Sequence, residues 1–80
     1  MAGAWLVHLA ATTDGEGVVR TFAPNGKELV ELSARDTGGA VQVFNKTGED
    51  VVQLRPDEYG NGLVGAYNRK GEGRTLKPGP

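Results

Sequence analysis

The segment "GNGLVG" at 60–65 spells G-x-G-x-x-G, the spacing in which a strand, a glycine turn and a helix N-terminus cradle a pyrophosphate. That chemistry needs the helix, whose first amides meet the phosphate charge. Here Leu63 to Tyr67 read as strand, and only fifteen residues follow Gly65. No cofactor is expected.

Other chemistry-bearing residues are thinly spread. There is no cysteine, one serine (Ser33) and one histidine (His8). Disulfides and a thiol nucleophile are thereby excluded, a structural zinc site is not expected, and His8 and Ser33 lie far apart in sequence. Asp14, Glu16, Asp36, Asp57 and Glu58 place acids in the loops. Such oxygens could ligate calcium or form a pair for glycoside hydrolysis. Asp is also a routine turn residue, and the spacing varies, so no metal site is expected. Asn45-Lys46-Thr47 is a glycosylation sequon, but Asn45 already serves a turn and Asn68 recurs without the sequon. Trp5 and Tyr59 could form a stacking platform for a glycan. No catalytic residue emerges, and an enzyme is not expected.

Elements able to position anything must fit in 80 residues, one domain at most. Leu, Val and Phe number 18, with no Ile, which sits just above the ~20% below which highly charged chains stay disordered. Small domains usually need a staple, and none exists here, so the thin core points to completion by further copies of the chain. Residues 1–68 carry net −4 and residues 69–80 net +3. The basic tail lacks interleaved aromatics and ends in "KPGP", so it reads as a solvated end and not as a nucleic-acid site. No stretch approaches the ~18 apolar residues of a membrane span, and "MAGAWLVHLAA" has no basic residue in front of it, as a signal peptide would.

The dominant signal is internal repetition. Gly17, Gly39 and Gly62 stand 22 and 23 residues apart. Val19, Val41 and Val64 then align, as do Phe22, Phe44 and Tyr67, and Gly26, Gly48 and Gly71. Val30 aligns with Val52 and Leu32 with Leu54, while "WLVHL" falls on "ELVEL" and "DVVQL". The domain therefore divides into a half repeat (4–16) and three repeats (17–38, 39–61, 62–80), as if cut from a longer array. A period of this length marks stacked supersecondary units.

Each unit reads as a hairpin. "APNG", "NKTG" and "NRKG" carry type I turn preferences, with Asn45 and Asn68 initiating and Gly26, Gly48 and Gly71 closing. Strands are expected near 4–9, 18–23, 27–32, 40–45, 49–54 and 63–68, with a frayed seventh near 73–77. "SARDTG" and "RPDEYGN" are expected as longer linkers. Hairpin closure predicts one face holding Val18, Phe22, Val30 and Leu32, with Ala40, Phe44, Val52 and Leu54 as counterparts. The predicted core row is Phe22, Phe44 and Tyr67 stacked, lined by Val30, Val52, Leu32 and Leu54. Val19, Leu29, Val41, Val43 and Val51 are expected opposite. Two apolar faces are more than one small chain covers. In the third copy Leu76 falls one position early and prolines follow, which reads as a cap.

The pattern G-x-V-x-[VTA]-[FY]-N-x-x-G-[EK], over about 15–80, resembles tandem glycine-rich β-repeats of bacterial surface proteins. It is similar also to the trimeric β-helical or β-prism stalks of phage fibres and adhesins. Ala23 stands where the pattern has Asn, and three copies make a short plug and not a fibre. The resemblance implies an all-β fold of stacked hairpin repeats of about 22–23 residues, interwound as a homotrimeric β-prism or β-solenoid. It implies a structural or attachment role at a cell or phage surface. The chain itself is the expected partner, with no nucleic acid and no membrane insertion. The alternative is a carbohydrate- or ligand-binding β module using its loops.

Overall fold

The computed structural model describes residues 6–78. Trp5 and the start of the expected half repeat lie outside the described residues. The strands are β1 (Val7–Ala11), β2 (Gly17–Phe22), β3 (Glu28–Arg35), β4 (Gly38–Phe44), β5 (Asp50–Pro56), β6 (Gly62–Tyr67) and β7 (Gly73–Leu76). They form a single antiparallel sheet in the order β1 to β7, each strand paired to its sequence neighbours. No helix occurs among the described residues. The molecule spans 51 × 32 × 15 Å. Stacked sheets sit about 10 Å apart, so a thickness of 15 Å is that of one layer with its side chains.

Five of the six connections are one and the same turn. In the second repeat the Gly48 amide donates to the Asn45 carbonyl at 3.0 Å, and the Asn45 amide to the Glu49 carbonyl at 2.9 Å. Gly48 has φ +94°, the left-handed conformation that turns a type I corner into a hairpin. The side chain of Asn45 completes it: Oδ1 accepts from the amides of Thr47 at 3.1 Å and Glu49 at 2.9 Å. Asn68 accepts in the same way from Lys70 and Glu72. The same backbone bonds recur at Thr12–Glu16, Ala23–Lys27 and Asp57–Asn61.

The expected longer linkers are therefore tight turns. "RPDEYGN" conceals a fourth-residue glycine turn in which Asp57 Oδ1 takes the role of Asn45, accepting from Tyr59 and Asn61 at 2.9 Å each. In "SARDTG" the strands run on until Arg35 pairs with Gly38, leaving only Asp36 and Thr37 as loop. Gly38, at φ +135°, supplies backbone that other residues rarely adopt. The β3–β4 loop has two residues against five between β5 and β6, while the β3–β4 ladder runs one pair further; the net difference of one residue is the origin of the 22- and 23-residue spacings.

The face expectation is corrected by a bulge. Phe22 pairs with Glu28, the partner that closure on the turn predicts, but Thr21 pairs with Val30, and Leu29 is left over. The second repeat does the same: Phe44 pairs with Asp50, Val43 with Val52, and Val51 is left over. A one-residue slip sends every later side chain to the other face. Val30, Leu32, Val52 and Leu54 thus lie opposite Phe22, Phe44 and Tyr67, and the predicted core row is split between two faces. The aromatics do not stack either. They sit on β2, β4 and β6, and alternate strands are about 10 Å apart, beyond the 4.5–7 Å of paired rings. The buried hydrophobics among the described residues are Val18, Ala40 and Leu63, at 6, 6 and 8% exposure.

Candidate functional site

Residues paired across an antiparallel ladder share a face, so the register alone defines both surfaces. On one face Leu9, Val19, Leu32, Val41, Leu54, Val64 and Leu76 form an unbroken row from β1 to β7. Beside it Val30, Val43 and Val52 continue a second row. On the other side of the Leu/Val row the side chains shrink: Gly17 pairs with Ala11, Gly39 with Ala34, and Gly62 with Pro56. A shallow groove of about 960 Å³ follows this step, lined by the Leu/Val row from Val19 to Leu76 and by the three glycines. Leu32 and Leu54 are 42% exposed in the middle of the sheet, and Leu9 and Leu76 are 72% and 69% exposed at its edges. Among the described residues nothing covers this apolar face.

The reverse face carries a polar, internally paired ladder, flanked by the buried Val18, Ala40 and Leu63 on one side and by Phe22, Phe44 and Tyr67 on the other. His8, Arg20, Glu31, Gln42, Gln53, Gly65 and Thr75 make a cross-strand ladder. Arg20 Nε reaches Glu31 at 3.2 Å and Glu28 at 3.4 Å. Asp50 Oδ2 accepts from Gln42 at 2.8 Å and Gln53 at 2.7 Å. The bulge makes these bonds possible, because it returns Glu28 and Asp50 to the side of Arg20 and Gln42. Burial pushes the Glu28 carboxyl up, reinforced by the hydrogen bond and charge of Glu31 against the pull of Arg20. Glu31 is also raised by burial, but hydrogen bonds with Glu28, Arg20 and Ser33 outweigh that and hold it low. The pair shares its acidity unequally, with Glu28 as the weaker acid. At β6 the ladder has a gap that Tyr67 fills: a Cβ on Gly65 would lie 2.6 Å from the Tyr67 hydroxyl.

The residues weighed for chemistry do not converge. Ser33 is on β3 and His8 on β1, with β2 between them. Gly60 is a turn residue at φ +87°, while Gly62 and Gly65 lie within β6; a strand follows where a phosphate loop has its helix. Asp14, Asp36 and Asp57 all sit at one end of the sheet, in separate turns. Among the described residues no group of three His, Asp or Glu side chains could hold a metal ion. Asp57 lies below the ordinary carboxylate value, chiefly because the Asn61 amide donates to it, with the Tyr59 amide in support. Glu49 is lowered by the Thr47 hydroxyl and then by Asn45. These are turn bonds on exposed groups. Tyr59 stands 80% exposed at a turn tip.

The fold and its surfaces define a single-layer, all-β meander with one bare apolar face. No protein-family model matches the chain, and no curated protein or solved structure matches it.

Proposed function

We propose that the chain is a structural, self-associating β-repeat module, in its most concrete form a trimeric stalk or fibre segment of a surface or phage protein. The observation that carries this reading is the uncovered Leu/Val row. A sheet with one apolar face is stable in water when that face packs against another layer, and the described residues supply no second layer. Copies of the chain do. Strands of about six residues span about 20 Å. Three such sheets arranged as a triangular prism, strands across the axis, would lie about 6 Å from the centre, the reach of a Leu side chain. The seven strands then stack one above another along the axis, with the polar ladder outward.

The test is solution mass, by size-exclusion chromatography with light scattering over a dilution series. A stable species near three times 8.4 kDa supports the stalk. A monomer at every concentration overturns self-association. The second reading, a glycan-binding β module, is favoured by the exposure of Tyr59; glycan-array binding that Tyr59→Ala abolishes would establish it in place of the first.

A further inference from the structure

Resting on the self-association proposed above, we infer that Gly17, Gly39 and Gly62 form the seat into which the valine ridge of a neighbouring copy packs, so that the apolar face is the one turned inward. None of the three is at positive φ. A Cβ added at any of them would meet nothing within 4 Å. Neither backbone geometry nor packing within the chain therefore calls for glycine, yet glycine inside a strand weakens it. The other strand glycines differ: Gly38 is at φ +135°, Gly65 accommodates the Tyr67 ring, and Gly73 is crowded by Ala66. A strand glycine with open space above it marks the close approach of something from outside.

The occupant that fits is another copy of this chain. The trough of Gly17, Gly39 and Gly62 runs beside the ridge of Val19, Val41 and Val64, and both recur on every second strand. A ridge on one copy therefore meets a trough of its own spacing on the next. Small-molecule sites carry a few placed polar groups converging among apolar walls; here Ser33, Arg55 and Lys77 are the polar residues of the groove's lining, and its trough and ridge are glycine and valine. Size agrees as well. Seven strands by about six residues give a face of about 29 by 20 Å, or ~600 Å² in projection. With the relief of side chains this comes to the order of the ~800 Å² per partner of a specific interface.

The experiment compares the parent with Gly39→Val and the double variant Gly39→Val/Gly62→Val by light scattering on dilution, with far-UV circular dichroism as the check on fold. Valine is a better strand former than glycine and adds apolar surface. A merely sticky face would associate more strongly, and a shaped seat less. The expected result is an unchanged strand spectrum with the half-dissociation concentration raised roughly tenfold or more, as for an overpacked contact. If a variant loses its strand spectrum, Gly39→Ala replaces it and should show a smaller rise. A parent that assembles while the folded variants assemble equally or more tightly overturns the seat and leaves self-association standing. A parent that never assembles overturns both.

Discussion

Leu76 faces Val64 across β6 and β7 just as Leu32 faces Val19 and Leu54 faces Val41, although the third hairpin is one residue shorter. The missing residue is the counterpart of Leu29 and Val51, the one each bulge leaves over. Tyr67 pairs with Gly73 and Ala66 with Arg74 without a shift. A deletion and the loss of a bulge cancel, so the apolar row continues to the edge of the sheet.

Closing that hairpin without a bulge crowds Gly73, where a Cβ would stand 1.9 Å from the Ala66 carbonyl oxygen. Gly73→Ala should therefore detach β7, at a cost of about 1–3 kcal/mol typical of forced overpacking. Hydrogen exchange at Thr75 and Leu76 should accelerate while β3 and β4 stay protected. Unchanged exchange would refute this account of the third hairpin.

Gly48 is different, since its surroundings are open and only its backbone is unusual. Gly48→Val should cost well over ~1 kcal/mol, because a β-branched residue is strained at positive φ. Gly48→Asn should cost less, as Asn visits that region. Equal melting temperatures for the two variants would contradict this.

Acid should probe the turns. The Asp57 carboxyl is depressed below its ordinary 3.8, so its contribution is present above that value and lost as pH falls through the lower folded one. Asp57→Asn keeps the acceptor that Asn45 and Asn68 use and cannot titrate. Its melting temperature should match the parent near neutrality and fall less steeply below pH 4.

Glu28 runs the other way. Its folded value is raised above 4.5, so ionisation opposes folding as pH rises through that raised value. Glu28→Gln should stabilise the protein at neutral pH, and the gain should vanish below the ordinary glutamate range. A loss at neutral pH would show that the ion pair with Arg20 outweighs the burial of the carboxylate.

Local chemistry was legible in the sequence and register was not. The turns at Gly26, Gly48 and Gly71 announce themselves because Asn and Gly do their work within four residues. Asp57 performs the role of Asn45 under a different letter, and Asp36-Thr37 needs only two residues, so in the sequence both read as linkers. The choice of face depended on Leu29 and Val51, whose expulsion from the ladder is a cooperative outcome of pairing along the whole strand. The glycine column at 17, 39 and 62 was plain as a spacing. Its meaning lay in which side of the sheet it occupies, and the bulge decides that.

Among the described residues every strand pairs only with its neighbours in sequence, so no strand pairing joins one edge of the sheet to the other. Such a sheet has low contact order and forms quickly from any hairpin, behaving as a one-dimensional chain of near-equivalent units. It unravels from its edges inward instead of breaking at a keystone. Adding or removing a hairpin changes its length without redesigning its interior, so duplication alone can tune the reach of such a molecule.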